Sequence, residues 1–145
     1  MNVFSREPFE LLASYPSRSR YPRGFLWDEG FHLLLICQWS DSLCVEIFRT
    51  WFDTISEQVE GEIMREQARG DEARFNIPLE DQPVKSGALS SPTMFLPLSI
   101  LFERGRHSPE VKELVMELYP KFNEWYGWYE QRLLGISIPC TFSYR

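Results

Sequence analysis

The residues best suited to chemistry lie in one short stretch, where an aromatic ring stands beside two adjacent acids. Trp27 precedes Asp28 and Glu29, and His32 follows four residues after Asp28. An aromatic wall beside a carboxyl group can hold a sugar ring, and it can also raise the pKa of the acid by excluding water. The alternative is that Asp28 caps a helix while Trp27 packs into a core, because short motifs are weak signals.

Two glycines in this stretch predict how the backbone turns. Gly24 follows Arg23, and Gly30 follows Glu29. Because glycine adopts positive φ more freely than any other residue, we expect a sharp turn at each of these two dipeptides.

The composition excludes several classes of partner. The chain has 145 residues, which fits one domain, and its 43% hydrophobic share can bury a core. Its net charge of −6 argues against nucleic acid as a partner, since that partner favours a basic face. Charged residues interrupt the stretch before Pro16, so we expect no signal peptide there. No run approaches the ~20 apolar residues of a membrane span, so we expect no membrane segment in this chain.

The cysteines and histidines predict neither a metal site nor a cofactor. Cys37, Cys44 and Cys140 form no Cys-x-x-Cys pair, and with only two histidines the chain lacks the spacing of zinc ligands. Cys37 and Cys44 fall on apolar helical stretches, and we interpret them as small buried hydrophobic residues. Cysteine usage therefore leaves the redox compartment open.

Helices dominate the pattern around the chemical residues. The first is predicted over about 29–38, with Asp28 at its entrance as a cap for free N–H groups. A second, clearly amphipathic helix is predicted to begin after Ser40 or Asp41. Residues 60–90 lack helical spacing and are predicted as a long loop with at most a short strand. A loop of that length in a compact domain is usually functional or disordered.

Further helices are predicted in the second half of the chain. Ser91 and Ser108 each precede a proline, a start signal because serine caps a helix and proline fits its first position. Pro120 is expected to break or restart the chain, and the last helix is expected to end near Gly135. Together these elements predict an all-α fold, in which the helices form an antiparallel array with little strand.

The long motif around Asp28 also carries a resemblance to a known family. Residues 17–32 read SRSRYPRGFLWDEGFH and look like the processing α-glucosidase I family, the mannosyl-oligosaccharide glucosidases of glycoside hydrolase family 63. The likeness covers nearly the whole chain from about Ser17. Its further points are Arg65-Glu66-Gln67, Gly70, Glu72-Ala73-Arg74, Pro92-Thr93, Phe95-Leu96, Trp125, Trp128 and Ser143-Tyr144-Arg145.

The resemblance implies a fold and an activity. The fold would be an (α/α)6 barrel, of which residues 1–145 would form an incomplete part, the part that carries the general acid. The activity would be hydrolysis of the terminal α-1,2-linked glucose from the N-glycan precursor on a glycoprotein, with inversion at the anomeric carbon. The family acts in the lumen of the endoplasmic reticulum, and no cofactor is implied.

The resemblance also implies roles for single residues. Asp28 matches the general acid, and Trp27 and Phe31 would line the glucose pocket. The residues that would bind hydroxyl groups or orient Asp28 are Arg23, Arg65 and Glu66, and Glu29 is assigned to substrate binding as well. The residues alone leave simpler alternatives. Phe31 could belong to the core, Arg23 could only hold its loop in place, and His32 could be a buried histidine with its hydrogen bonds made inside the protein.

The chain departs from the family pattern in ways that bear on activity. The general base is expected beyond Arg145, and within the loop region only Glu66 could stand in for it. Glu62 occupies a position where the family usually has tryptophan, and Ser90-Ser91 replaces an Asn-Pro pair. The alternative is therefore that the chain is a catalytically inactive truncated α-helical remnant or a helical binding module. In either case its uncovered apolar faces would favour self-association or require a partner.

Overall fold

Five helices and a two-stranded ribbon account for most of the part of the chain that the computed structural model describes, residues 10–55, 61–68, 70–77, 87–104 and 108–135. The all-α prediction is confirmed in its coarse form, since helices predominate. The strands are short and antiparallel, with Gly24 opposite Gln67 and Phe25 opposite Glu66. The elements are β1 (Gly24–Phe25), α1 (Leu26–Trp39), α2 (Asp41–Phe52), β2 (Glu66–Gln67), α3 (Gly70–Phe75), α4 (Phe95–Arg104) and α5 (Pro109–Leu134).

Helix α1 begins three residues earlier than the sequence predicts. Its N-cap is Phe25, whose side chain makes no capping hydrogen bond, so the prediction that Asp28 caps the helix was wrong. The ribbon sets the start instead, because the backbone N–H of Leu26 donates to the carbonyl of Arg65 at 2.9 Å. Asp28 lies in the first turn, where a carboxylate still complements the positive end of the helix dipole.

The glycines beside Arg23 and Glu29 serve close packing rather than turns. Gly24 lies in β1 and Gly30 lies inside α1, and among the described residues only Gly61, Gly87 and Gly135 have positive φ. The predicted sharp turns were therefore wrong. A Cβ atom on Gly30 would lie 2.4 Å from Oγ1 of Thr93, so this glycine lets the segment before α4 reach the backbone of α1.

The start of α2 confirms the sequence prediction, and it also brings two cysteines together. Ser40 is the N-cap, and its Oγ accepts a hydrogen bond from the N–H of Leu43 at 3.3 Å. The chain reverses at Ser40, and Cys37 of α1 and Cys44 of α2 are joined by a disulfide with a Cα–Cα distance of 4.9 Å. Both cysteines are buried as expected, but they are covalently paired, which our interpretation did not include.

We expect Cys44→Ser to lower the free energy of unfolding by about 2 kcal/mol. The crosslink spans a sequence separation of 7, and closing so short a loop restricts the unfolded chain by roughly that amount. Urea unfolding with and without dithiothreitol measures the effect. The reductant should lower the stability of the wild type to that of the variant and leave the variant unchanged; equal stability of wild type and variant without reductant would contradict the prediction.

The predicted loop of residues 60–90 contains regular structure. Gly70 to Arg74 lie in α3, so their prediction as loop was wrong, while the short strand allowed by the sequence is found as β2. Glu62 is buried, and its carboxylate accepts a hydrogen bond from the N–H of Gly87. The parts of this region at 56–60, at 69 and at 78–86 lie outside the described residues.

The serine-proline pairs and Gly135 predicted most of the ends of the last two helices correctly. Helix α4 begins at Phe95, four residues after Ser91, because the residues between them form a turn in which the N–H of Phe95 donates to the carbonyl of Pro92. Helix α5 has Ser108 as its N-cap, and Gly135 follows its last residue with a φ of 62°. Residues 105–107 and 136–145 lie outside the described part.

Helix α5 runs through Pro120 without a break, so the predicted interruption was wrong. Proline removes one hydrogen bond of the helix, and the tertiary packing of the turns that follow it outweighs that loss. The ring of Phe122 stacks on Phe52 of α2 at 4.6 Å between centroids, and Trp125 stacks on Phe95 of α4 at 5.0 Å. These aromatic contacts tie α2, α4 and α5 into one core. None of the described helices is long and apolar enough to cross a membrane.

Candidate active site

The ribbon places a buried arginine beside the start of α1. Nε of Arg23 lies 2.9 Å from Oε2 of Glu66, and both side chains are largely buried. The guanidinium group also lies 4.7 Å from the centroid of the Phe25 ring and 5.8 Å from that of Tyr21. Its Nη1 is buried and has no hydrogen-bond partner among the described residues. A buried donor without a partner is costly, so Nη1 is suited to donate to a hydroxyl group of a ligand.

A second arginine shares the same carboxylate. Nε of Arg65 lies 3.4 Å from Oε1 of Glu66, and the Arg65 side chain is half exposed. Both oxygens of Glu66 therefore face guanidinium groups, Oε2 towards Arg23 and Oε1 towards Arg65. Glu66 orients two cationic side chains in this arrangement, and its carboxylate is not free to activate water.

Helix α1 carries Asp28 in its first turn and has exposed rings at positions 27 and 31. Trp27 and Phe31 are 46% and 48% exposed, and their rings meet edge to face with centroids 6.0 Å apart. Phe31 is thus not part of the core. Asp28 lies between them in sequence and is half-buried. Burial raises the pKa of Asp28 above its usual range, and the positive charge of His32 opposes that rise. An acid with a raised pKa keeps its proton closer to neutral pH.

The backbone of this turn is held from the segment before α4. Oγ1 of Thr93 donates to the carbonyl oxygen of Trp27 at 2.6 Å, and Thr93 packs directly against Gly30. Thr93 thereby fixes the position of the turn that carries Asp28. The sequence marked Pro92-Thr93 as a helix start, and no local signal there indicates a contact with a residue 66 positions earlier.

Glu29 faces the interior, on the side of α1 away from the exposed rings. Its side chain is fully buried, and its Oε2 accepts a hydrogen bond from the N–H of Ser14 at 2.8 Å. The structure does not bring Glu29 together with the exposed residues that were assigned to substrate binding. It holds the segment around Ser14 against α1 instead, a role that sequence spacing could not reveal because the partner is a backbone group.

His32 is not the fully buried, fully hydrogen-bonded histidine that the sequence allowed as an alternative. Its side chain is 30% exposed, and its buried Nδ1 lacks a hydrogen-bond partner among the described residues. Nδ1 lies 4.0 Å from Oε2 of Glu29, beyond hydrogen-bonding distance.

The buried position of Glu29 makes stability depend on pH. Burial raises the pKa of Glu29 from 4.5 to about 7, against the lowering effects of the Ser14 N–H and the Trp51 indole. Since the folded state then holds the proton more tightly than the unfolded state, stability falls as pH rises from about 4.5 towards 7.

We expect Glu29→Gln to remove this loss, because the amide is isosteric and does not ionise. Urea unfolding of wild type and variant across that pH range measures the difference in free energy. The wild type should lose stability relative to the variant as pH rises, with the difference levelling above the folded pKa. A difference that is independent of pH would show that Glu29 does not titrate in this window.

The arrangement can hold a sugar ring and protonate a leaving oxygen. The exposed rings offer stacking surfaces, Nη1 of Arg23 offers a donor, and Asp28 offers a proton. The two neighbouring carboxylates already have protein partners. Glu29 accepts a hydrogen bond in the core, and Glu66 pairs with two arginines. Within the described residues, no group of three or more His, Cys, Asp or Glu side chains could hold a metal ion.

Comparison with known proteins finds one matching family and several relatives that match most of the chain. The family model for the glycosyl hydrolase family 63 C-terminal domain matches residues 1–145. The mannosyl-oligosaccharide glucosidase of Saccharomyces cerevisiae is 42% identical over 104 residues, 72% of this chain and 12% of that protein. In Arabidopsis thaliana, mannosyl-oligosaccharide glucosidase GCS1 is 33% identical over 142 residues, 93% of this chain and 16% of that protein. Alpha-glucosidase 2 of the same plant is 33% identical over 135 residues, 88% of this chain. The chain therefore spans only 12% to 17% of the length of these relatives.

Proposed function

This chain belongs to glycosyl hydrolase family 63, and from that membership we propose that the protein hydrolyses the terminal α-1,2-linked glucose of N-linked oligosaccharide precursors. The observation that carries the proposal is the half-buried Asp28, an acid with a raised pKa that lies between the exposed Trp27 and Phe31 in the sequence of α1. Asp28 is the general acid in this proposal. Mannosyl-oligosaccharide glucosidases among the relatives support the choice of substrate.

The proposed reaction inverts the configuration at the anomeric carbon. Asp28 donates its proton to the glycosidic oxygen as the bond to the anomeric carbon breaks, and a second carboxylate takes a proton from the attacking water. In such a pair the carboxyl groups lie ~6.5–9.5 Å apart, which leaves room for that water. Glu29 is buried in the core and Glu66 is paired with two arginines, so neither is free to activate water. We therefore assign the base to a carboxylate that the family resemblance places beyond Arg145.

The remaining site residues bind the glucose or orient the acid. Trp27 and Phe31 contribute exposed ring surface to the glucose pocket, and such surface favours the apolar face of a sugar. Nη1 of Arg23 donates to a glucose hydroxyl, since Nε is already held by Glu66. Arg65 is half exposed and adds a second donor beside the same carboxylate.

The fold and the location follow from the same proposal. The helices would belong to an (α/α)6 barrel, with residues 1–145 in the part that carries the acid. The substrate would be a glucosylated N-glycan on a glycoprotein in the lumen of the endoplasmic reticulum. The Cys37–Cys44 disulfide supports this location, because disulfides persist in oxidising compartments and are rare in the cytosol.

Product analysis tests the proposal. The complete enzyme, which includes the segment that carries the proposed base, is purified and incubated with a triglucosylated N-glycan, and the released sugar is followed by proton NMR. We expect release of one terminal glucose, which appears first as the β-anomer and then equilibrates with the α-anomer. Initial release of the α-anomer would contradict inversion, and release from other α-glucosides but not from this glycan would contradict the proposed substrate.

A further inference from the structure

Thr93 contacts the peptide unit that joins the exposed ring of Trp27 to the proposed acid. Its Oγ1 donates a hydrogen bond to the carbonyl oxygen of Trp27 at 2.6 Å. That carbonyl and the N–H of Asp28 belong to one planar peptide unit, with the Cα atom of Trp27 at one end and that of Asp28 at the other. A group that orients this plane therefore orients the ring and the acid together.

The backbone of Thr93 is itself held on both sides. Its N–H donates to the carbonyl of Ser91 at 2.8 Å, and its own carbonyl accepts a hydrogen bond from the N–H of Leu96 at 3.0 Å. Two residues further along the chain, Phe95 stacks on Trp125 of α5 with 5.0 Å between ring centroids. The hydroxyl of Thr93 therefore extends from a segment that is fixed to the core.

Two elements distant in sequence hold the first turn of α1. On the ribbon, the carbonyl of Arg65 accepts a hydrogen bond from the N–H of Leu26 at 2.9 Å. Thr93 holds the residue after Leu26, through a backbone carbonyl. Gly30 permits this contact, since a Cβ atom there would lie 2.4 Å from Oγ1 of Thr93. The turn is therefore fixed between two elements, and Thr93 bonds the peptide unit that directly precedes the acid.

We propose that Thr93 is a positioning residue for glucoside cleavage, whose hydroxyl sets the orientation of Asp28 relative to the Trp27 ring. The proposal rests on the proposed role of Asp28 as the general acid. Proton transfer depends steeply on the placement of the acid, because a misplacement of ~1 Å can cost ~10²-fold in rate. Contact of a sugar with a ring is less directional, since apolar burial depends mainly on area. A misoriented peptide unit therefore lowers kcat more than it raises KM.

Thr93→Val in the complete enzyme removes the hydroxyl and keeps a side chain of similar shape. A methyl group cannot approach the carbonyl as closely as a donor can, so the turn must shift. We expect kcat on an α-1,2-linked glucoside to fall about 10-fold, with KM changed less than about 2-fold. Turnover of α-D-glucosyl fluoride, whose leaving group needs no proton, should fall much less. Equal losses on the two substrates, or no loss on the glucoside, would overturn the inference.

Two further variants separate positioning from a loss of stability. Thr93→Ser restores a hydroxyl and should recover most of kcat, and a serine variant as slow as the valine variant would overturn the inference. Thr54→Val is the matched control, since Oγ1 of Thr54 donates to the carbonyl of Trp51 at 2.7 Å, just after α2. It should lower stability and leave kcat near that of the wild type. A loss of kcat as large as that of Thr93→Val would also overturn the inference.

The amide NMR signal of Asp28 reports the same contact without any turnover. Trp27-Asp28 is the one Trp-Asp pair in this sequence, so isotope labelling of tryptophan carbonyl carbons and aspartate nitrogens selects its peptide bond. The amide nitrogen shift of Asp28 should move in Thr93→Val and return in Thr93→Ser; an unchanged shift in Thr93→Val would overturn the inference. Full turnover of Asp28→Asn would instead remove the proposed function, and the shift would still report whether the hydroxyl orients this peptide unit.

Discussion

In the complete enzyme, Asp28→Asn is expected to lower kcat on an α-1,2-linked glucoside by about 10²–10⁴-fold, the usual contribution of a general acid. Asparagine has nearly the same shape as aspartate but cannot donate an acidic proton to the leaving oxygen. Since Asp28 lies in the first turn of α1 and is not its N-cap, folding should change little. Steady-state kinetics, with circular dichroism to follow folding, measures both.

Asp41→Asn is a matched control for that substitution. Asp41 lies in the first turn of α2, as Asp28 lies in that of α1, and it pairs with Arg104 in an exposed ion pair. Losing such a pair costs ~0–1 kcal/mol of stability and removes no acid from the site. Turnover should therefore remain near that of the wild type. Near-normal turnover of Asp28→Asn would remove Asp28 from the mechanism.

Gly30→Ala is expected to lower the free energy of unfolding by about 3 kcal/mol, at the upper end of the usual cost of overpacking. The new Cβ atom would lie 2.4 Å from Oγ1 and 2.5 Å from the carbonyl carbon of Thr93. The second contact is with backbone, so no side-chain rotation relieves it. The segment before α4 must move, which also weakens the Thr93 hydrogen bond that holds Trp27.

Gly127→Ala is the control for this second prediction. Gly127 lies inside α5, and a Cβ atom there would meet nothing within 4 Å. Alanine should therefore stabilise the protein by about 0.5–1 kcal/mol through helix propensity. Thermal and urea unfolding of both variants measure the contrast. Equal stability changes in the two variants would show that the contact between α1 and Thr93 is not tight.

The sequence predicted elements best where the signal is local. Ser40, Ser108 and Gly135 all mark helix ends in the structure, and of the two serines Ser40 accepts a capping hydrogen bond through its hydroxyl while Ser108 does not. Asp28 offered an equally good cap signal, but the start of α1 is set by β2, whose position no local pattern shows. Pro120 failed as a breaker because packing around Phe122 and Trp125 outweighs the loss of one helix hydrogen bond.

The sequence identified the residue types of the candidate site, but it did not predict which way each side chain points. Trp27 is exposed and Asp28 is half-buried, so a ligand can reach both side chains. Glu29 follows Asp28 directly, yet successive helical residues point about 100° apart, so one acid reaches the surface and the other the core. The pairing of Cys37 with Cys44 likewise needs the reversal at Ser40, which spacing alone does not determine.

Dependence on the leaving group tests the central claim, that Asp28 protonates the leaving oxygen. The measurement is kcat/KM of wild type and Asp28→Asn on an α-1,2-linked glucoside and on α-D-glucosyl fluoride. Fluoride departs as an anion without needing a proton, so it bypasses the acid. We expect Asp28→Asn to lose activity on the glucoside and to retain most of it on the fluoride. Equal losses on both substrates would contradict the assignment of Asp28 as the general acid.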